Sequence, residues 1–354
     1  MSATAGVGVT EITLFRASDG DCILVRCVDG SENFNMLVDA GRTSTVARLK
    51  KFMQKLSDGE RRVDLFVVTH IDADHIAGAI ALAEDATLAP MVKAVWFNAA
   101  KHLPQDTLPM SVGQGKTFAD LIDKNGWAWN KETDGEAIVR KPGMTPINLG
   151  EASTVTAHLL GPLPSGLAAL AEIWPLPEVR AGDEEPSEVA MGIEPPPDVE
   201  ALAAADYTAD DTVPNQSSIA FVLGHGNRRI LIAADSHAET LVASVDEDFG
   251  GRLEVDVATL PHHGSRRNTS PKLAERIVAS TWTVSTQGGG KHLFPHGESI
   301  ARILTRKESD NRLRFVFNSE HRETWRWNDV GTKKAYGYST QYPDEDDEWI
   351  TLSI

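Results

Sequence analysis

The sequence has few of the features that mark secreted or membrane proteins. Only two of its 354 residues are cysteine, Cys22 and Cys27, and both lie in one apolar segment. Two thiols this close in a strand-like segment rarely form a disulfide, which fits a reducing compartment. No apolar run approaches the roughly 18–20 residues of a membrane span, and residues 1–10 lack the basic and apolar regions of a secretory signal. We therefore expect a cytoplasmic protein without membrane contact.

An excess of positive charge is also missing. The chain has 34 Lys and Arg residues against 51 Asp and Glu residues, a net charge of −17. Residues 172–211 contain twelve acidic residues and one arginine, so this segment accounts for −11 of that charge. The composition argues against a broad basic surface that binds nucleic acid non-specifically. Any contact with nucleic acid would have to be local.

Strand-like apolar segments alternate with helix-like segments in both halves of the chain, which predicts an α/β fold with two sheets or one layered sheet system. Val63–Thr69 is typical of a strand buried on both faces, and Asp74–Glu84 has the pattern of the helix that follows it. We expect one domain spanning residues 1–354, with a β extension over 311–354. The predicted strands of this extension are Leu313–Phe317, Glu323–Trp327 and Trp349–Ile354.

Residues 164–214 are rich in proline, alanine and acidic residues and show weak periodicity. This composition predicts an insertion that is partly helical and partly loose. It could be a lid, a surface for a protein partner, or a solvated excursion.

The segment His70-Ile71-Asp72-Ala73-Asp74-His75 carries four potential metal ligands at the end of a predicted buried strand. A loop at this edge of an α/β fold allows all four side chains to turn inward. The alternative is an N-capped helix with two surface histidines, since either aspartate could be the cap.

Further ligand types follow other strand-like segments. Asp235 ends the segment Ile230–Ala234, and His262 and His263 follow Val255–Leu260. His296 follows a later strand and a glycine-rich loop. Imidazole and carboxylate groups together bind divalent metals, and several carboxylates favour harder ions such as Mn²⁺ alongside Zn²⁺.

This pattern resembles the signature of the metallo-β-lactamase superfamily, whose usual form is His-x-His-x-Asp-His; here Asp72 replaces the second histidine. The His-x-Asp-x-Asp-His variant is similar to the metallo-hydrolase domain of DNA-uptake competence channel proteins and their soluble relatives. Further motifs match this branch in order: Asp19-Gly20-Asp21, Leu37-Val38-Asp39-Ala40-Gly41, Asn215-Gln216-Ser217-Ser218, Ala234-Asp235, Pro261-His262-His263-Gly264-Ser265 and Phe294-Pro295-His296.

The resemblance implies a four-layer αββα sandwich with two divalent metal ions, Zn²⁺ or Mn²⁺, at one edge between the sheets. It also implies metal-ligand roles for a set of residues: His70, Asp72, Asp74, His75, Asp235, His262 and His296. Asp235 would bridge the ions. His262 is preferred over His263 as a ligand, and His263 and Asp74 are the catalytic candidates. His158, the one candidate for the superfamily's mid-chain histidine, fits a core histidine better.

Substrate contacts are predicted from weaker features. Asn215, Ser265 and Arg266 could bind a substrate phosphate, but they could equally be turn or solvated loop residues. His292 lies on the glycine-rich loop and could form an edge of the site. Trp127 and Trp129 could stack on bases, although packing is the commoner role of such a pair. His225 and His237 are expected at the surface.

Three functions compete. The branch resemblance and the carboxylate-rich ligand set favour a phosphodiester hydrolase, a nuclease acting on DNA or RNA through a metal-activated water. The net charge of −17 favours instead a hydrolase of a small molecule, such as a cyclic nucleotide, nucleotide, lactone or ester. The third is a non-enzymatic regulatory module, which the nearly complete ligand set argues against. The oligomeric state is not predicted.

Overall fold

The computed structural model describes residues 8–29, 32–104, 113–149, 154–174, 195–287, 293–306, 313–345 and 347–354. The strands are β1 (Val9–Phe15), β2 (Ile23–Asp29), β3 (Glu32–Val38), β4 (Leu65–Val67), β5 (Ala94–Trp96), β6 (Ala128–Trp129), β7 (Ile147–Asn148), β8 (Val155–Gly161), β9 (Ala220–His225), β10 (Arg228–Ile232), β11 (Leu253–Thr259), β12 (Ile277–Val284), β13 (Leu313–Phe317), β14 (Tyr338–Gln341) and β15 (Trp349–Ser353).

The α-helices are α1 (Thr45–Lys55), α2 (Ala73–Glu84), α3 (Gln114–Asn125), α4 (Pro164–Ile173), α5 (Val199–Ala203), α6 (Val213–Gln216), α7 (Ala238–Asp248), α8 (Pro271–Arg276), α9 (Gly297–Leu304), α10 (Arg322–Trp325) and α11 (Val330–Tyr336). No helix among the residues listed above is long and apolar enough to cross a bilayer.

The strands form two sheets, with the orders β15-β1-β2-β3-β4-β5-β6 and β14-β13-β12-β11-β10-β9-β8-β7. Strands β3 to β6 are parallel in the first sheet, and β10 to β14 are parallel in the second. The C-terminal ends of parallel strands meet at one sheet edge, where open α/β sheets hold their ligands. Both sheets therefore offer loops for a site at such an edge.

Three buried apolar clusters define the layers. One joins the first sheet to its helices and includes Phe66 and Phe118. Another joins the second sheet to its helices and includes Leu241 and Trp282. The third lies between the sheets and contains residues such as Val25 and Phe221. The order is helix, sheet, sheet, helix, which confirms the predicted α/β sandwich.

The C-terminal segment differs from the predicted β extension. Strand β13 lies inside the second sheet, and β15 pairs with β1 at the edge of the first, so both complete the sheets. The prediction of a strand over Glu323–Trp327 was wrong, because these residues form α10 and the start of a 3₁₀ turn. The backbone N–H of His321 donates to the Thr324 hydroxyl at 3.0 Å. That cap outweighs the strand preference of the nearby tryptophans.

The predicted insertion, 164–214, contains three helices among its described residues: α4, α5 and α6. Residues 175–194 lie outside the described residues. Residues 195–214 pack against the loops at the edge of the second sheet: the backbone N–H of Asp210 donates to the Arg267 carbonyl at 3.1 Å. This part of the insertion is therefore placed to influence a site at that edge.

Candidate metal centre

The predicted ligands come from the ends of neighbouring strands. His70 follows β4, Asp235 follows β10, and His262 and His263 follow β11. Parallel pairing of β10 with β11 brings the last three residues to one edge. His70 and His75 are buried, and the Asp72 side chain makes no capping hydrogen bond although Asp72 is the N-cap of α2. The alternative of a capped helix with surface histidines was therefore wrong.

Four imidazole nitrogens converge on the Asp235 carboxylate, which is buried. The Nε2 atoms of His75 and His262 each lie 3.5 Å from Asp235 Oδ2, and that of His70 lies 3.8 Å away. His263 Nε2 lies 3.7 Å from Asp235 Oδ1. Two ligands of one zinc ion are separated by about 3.4 Å in tetrahedral geometry. The spacing around Asp235 is close to that value.

Hydrogen bonds at the opposite ring nitrogens orient two of these histidines. His75 Nδ1 is 2.8 Å from the buried Asp39 carboxylate, and His263 Nδ1 is 3.1 Å from the Ser285 carbonyl. Both partners are acceptors, so we assign the proton to Nδ1 and the lone pair to Nε2. This orientation is typical of metal-binding histidines.

The rings of His262 and His70 are also oriented by an acceptor at Nδ1. His262 Nδ1 is 3.0 Å from Asn268 Oδ1. His70 Nδ1 is 3.0 Å from the Thr69 hydroxyl, which itself donates to Asp39 at 2.7 Å and so accepts from His70. All four Nε2 lone pairs therefore face the centre of the cluster.

These inward atoms lack protein partners. The Nε2 atoms of His70, His75 and His263, and Asp235 Oδ1, are buried without a hydrogen bond. A buried polar atom left unpaired costs about 1–3 kcal/mol. Bound cations would satisfy these atoms, so the residues fit divalent metal ions.

The donor atoms form two sets that share Asp235. In the first, Asp21, His75, Asp235 and His263 offer ligand atoms that all lie within 4.8 Å of one another. Asp74 borders it, with Oδ2 3.6 Å from His263 Nε2. In the second, His70 Nε2 is 3.7 Å from Asp72 Oδ2, and His262 faces Asp235 Oδ2. The arrangement could hold two ions with Asp235 between them.

Burial and negative charge shift the pKa values of these groups. Burial opposes protonation of His263, but Asp235 and Asp21 outweigh it and raise the His263 pKa to about 9. Burial and the charge of Asp74 raise the pKa of Asp72 to about 7. The carboxylates thus favour positive charge at this place, which a bound cation would supply instead of the histidine protons.

Backbone strain is concentrated at the same place. Asp39, Ala234, His262 and His263 have positive φ values of 52°, 47°, 47° and 54°. Such conformations cost on the order of 1 kcal/mol or more for residues other than glycine. The strain turns the two adjacent histidines toward the cluster, which an extended backbone would send to opposite sides.

A family model described as the metallo-beta-lactamase superfamily matches residues 16–156. This segment of the chain is therefore similar to that superfamily. The matched segment contains His70 to His75, whereas Asp235, His262 and His263 lie beyond it and join the site through the fold. This similarity supports a metal-dependent hydrolase, because the superfamily typically binds divalent metals and the chain has a buried His/Asp cluster.

Two solved structures are similar to this chain. One is the metallo-beta-lactamase fold protein YhfI from Bacillus subtilis, at 10% identity and a TM-score of 0.46, covering 98% of this chain and 100% of that one. The other is Igni18, a metallo hydrolase from the archaeon Ignicoccus hospitalis, at 11% identity and a TM-score of 0.41, covering 97% and 98%. No curated protein matches the chain.

Two of the predicted metal ligands, His296 and His262, lie outside the group of four ligands. His296 is the N-cap of α9, and its Nδ1 accepts a hydrogen bond from the Arg266 backbone N–H at 3.2 Å. It is not in the group of four ligands within 4.8 Å, in which Asp21 and His263 take part instead. Geometry favours His263 over His262 in that group, the reverse of the predicted preference, while His262 faces the second set.

Asp21 was not among the predicted ligands, although the turn Asp19-Gly20-Asp21 had been noted. A Cβ on Gly20 would lie 1.6 Å from the Asp74 carbonyl oxygen, so only glycine permits the turn to approach α2. Asp21 is thereby buried beside the cluster, and burial raises its pKa. A glycine between two aspartates, just before a buried strand, was the available signal.

The predicted substrate contacts are mostly engaged within the protein. Asn215 is buried and donates to Asp210 at 2.7 Å, and the Ser265 hydroxyl accepts from the Arg267 backbone N–H at 3.2 Å. The exposed Arg266 guanidinium pairs with Glu298 at 3.0 Å. His292 lies outside the described residues.

Three further histidines and Trp127 make contacts within the protein. His158 Nε2 contacts Asp248 at 3.1 Å, away from the cluster. His225 and His237 were expected at the surface but are buried, bonded to Thr10 and the Thr212 carbonyl. Trp127 is buried against Phe66 and Phe118, so its role is packing.

Proposed function

We propose that this chain is a metal-dependent phosphodiester hydrolase, with DNA or RNA as the first candidate substrate. The observation that carries the proposal is the double set of imidazole and carboxylate donors around Asp235. A carboxylate-rich set suits Mn²⁺ as well as Zn²⁺. Two bound ions supply a nucleophile from water at neutral pH and stabilise negative charge on the attacked phosphate. The resemblance to the competence-channel branch supports a nucleic-acid substrate.

Asp74 and His263 are the proposed catalytic side chains beside the metal ligands. Burial opposes ionisation of Asp74, but His75 and His263 outweigh it and hold the Asp74 pKa below its usual range. Its carboxylate side chain keeps 21% exposure, so it can accept a hydrogen bond from an attacking water. His263 Nε2 lies 3.6 Å from Asp74 Oδ2, so an ion held by His263 would lie beside that carboxylate.

The second candidate function is hydrolysis of a small substrate, such as a cyclic nucleotide, nucleotide, lactone or ester. It is favoured by the pairing of the arginines near the site: Arg266 with Glu298 at 3.0 Å and Arg267 with Asp211 at 2.5 Å. Paired arginines attract a long polyanion weakly, and the net charge of −17 repels it.

Hydrolysis assays separate these functions. The purified chain is incubated with end-labelled single- and double-stranded DNA, RNA and bis(p-nitrophenyl) phosphate, in Mn²⁺, Mg²⁺ or Zn²⁺. Asp235→Ala is tested in parallel, with Asp256→Ala, at a half-buried position of β11 outside the cluster, as the control. We expect metal-dependent cleavage of a polymer, lost by at least about 100-fold in Asp235→Ala only. Turnover of the small ester alone favours the second candidate, and no turnover of any substrate contradicts phosphodiester hydrolysis.

A further inference from the structure

Asp210 lies behind the second donor set and comes from the predicted acidic insertion. Its side chain is 2% exposed. Its Oδ2 accepts hydrogen bonds from the Asn215 amide at 2.7 Å and the Asn268 amide at 2.9 Å. Its Oδ1 accepts from the backbone N–H and hydroxyl of Thr212. Both oxygens of this carboxylate are thus used by side chains and backbone around the site.

The Asn268 bond fixes the orientation of an amide that faces His262. Asn268 Nδ2 also donates to the Asp235 carbonyl at 3.1 Å, so the amide nitrogen is held on the Asp210 side. Asn268 Oδ1 then faces His262 Nδ1 at 3.0 Å, where it can accept the proton of that nitrogen; the Asn215 amide nitrogen lies 3.1 Å from the same Nδ1. His262 consequently presents the lone pair of Nε2 to Asp235 Oδ2.

The backbone near Asp210 is fixed to the loop that follows His262 and His263. The Asp210 N–H donates to the Arg267 carbonyl at 3.1 Å, and the Arg267 guanidinium donates to the Ala209 carbonyl at 2.9 Å. The Tyr207 hydroxyl reaches the same Arg267 carbonyl at 3.0 Å. These bonds hold the Asp210 carboxylate in place, with Oδ2 3.6 Å from His262 Nδ1.

We propose that Asp210 is a positioning residue of the metal centre, which orients His262 through Asn268. The assignment rests on the proposed function, since it requires His262 to bind a metal ion. It gives the C-terminal part of the acidic insertion a role in the site, beyond that of a solvated excursion. Asp210 touches neither substrate nor metal in this role.

Mn²⁺ titration of the full chain tests the role, with free Mn²⁺ measured by electron paramagnetic resonance. Asp210→Ala should weaken one of two Mn²⁺ sites by about 10–100-fold and leave the other unchanged. Asp211→Asn, one residue away with an exposed side chain, should bind Mn²⁺ like the unmodified chain. If Asp210→Ala does not fold, Asp210→Asn keeps the volume and takes its place in the same titration.

A double-mutant cycle separates positioning from general stability. In a His262→Ala background, Asp210→Ala should have no further effect on Mn²⁺ affinity, because the ring it orients is gone. An equal loss in both backgrounds overturns the role, as does unweakened binding by Asp210→Ala in the chain that keeps His262. Absence of Mn²⁺ binding by the unmodified chain instead overturns the proposed function together with this role.

Discussion

The orientation of the cluster histidines depends on residues that do not reach the centre of the cluster. Asp39 accepts hydrogen bonds from the Thr69 backbone N–H at 2.8 Å, the Thr69 hydroxyl at 2.7 Å and His75 Nδ1 at 2.8 Å. It thereby fixes the orientation of His75 directly and that of His70 through Thr69. Asp39 and Thr69 therefore contribute both to the stability of the protein and to its affinity for metal.

Asp39→Asn should lower both the stability of the protein and its affinity for metal. The amide can replace one acceptor oxygen, but its NH₂ group then faces a buried donor, which costs about 1–3 kcal/mol of unfolding free energy. Zn²⁺ affinity should fall by about 10–100-fold. Urea unfolding and competition with a chelator measure the two effects. Asn tolerates the left-handed backbone at position 39, so strain is not the cause of any loss; an unchanged urea midpoint would show that the charge of Asp39 is dispensable.

The two thiols should be unreactive in the native protein. Cys22 and Cys27 are free and buried, and burial raises the pKa of Cys27 to about 12. Burial, with the charges of Asp39 and Asp21, also raises that of Cys22. Ellman's reagent at mildly alkaline pH should detect no thiol until guanidinium chloride unfolds the chain, and then both. Rapid labelling of the native protein would contradict the burial of these strands.

Much of the cluster could be predicted from local sequence, and the rest could not. His70, Asp72, Asp74 and His75 lie close together in the sequence, and Asp235 ends a recognisable strand. Asp21, Asp39 and Asp210 differ, because their contacts depend on turns and loops that only the folded chain brings together. An isolated aspartate gives no sign of which distant histidine it will face.

At the scale of elements, the position of α2 depends on a close approach to the loop after β3. A Cβ on Gly78 would lie 2.0 Å from the Ala40 carbonyl oxygen, and the Gly78 N–H donates to the Gly41 carbonyl at 2.8 Å. This contact holds the start of α2, and with it His75, beside Asp39.

Gly78→Ala should therefore destabilise the protein by about 1–3 kcal/mol or more through overpacking. In most helix interiors the same substitution has the opposite effect, because alanine stabilises a helix by about 0.5–1 kcal/mol relative to glycine. Gly59→Ala is the matched control, because a Cβ there meets no atom within 4 Å. Thermal unfolding measures both variants. A Gly78→Ala midpoint at or above that of the unmodified chain would show that α2 is not held by this approach.

Prediction of elements succeeded where periodicity was strong and failed where it was short or mixed. The strands β10 and β11 and the helix α2 follow clear apolar patterns. Helix α7 was not predicted, although Leu241 and Val245 are buried four residues apart; its acidic end obscures the pattern. At α10, a local cap decides the conformation against the strand preference of its residues.

At the scale of the whole molecule, the two ends of the chain meet in one sheet. Strand β15 pairs with β1, and Leu352 is buried between the sheets. The C-terminal strand is therefore part of the core that holds the site-bearing sheets together.

Leu352→Ala should lower the unfolding free energy by about 2–5 kcal/mol, because it opens a cavity in that core. Ser353→Ala, exposed on the same strand, should change it by less than about 0.5 kcal/mol. Denaturant unfolding of the two variants supplies the comparison. Equal stability of both would mean that β15 contributes little to the fold.

The amount of metal that the chain binds shows whether the cluster around Asp235 is a metal centre. The metal-free chain is dialysed against Zn²⁺ or Mn²⁺ and analysed for metal per protein, beside Asp235→Ala. We expect about two ions per chain, and a loss of at least one of them in Asp235→Ala, because this carboxylate lies between both donor sets. No bound metal, or the same amount in Asp235→Ala, would contradict it.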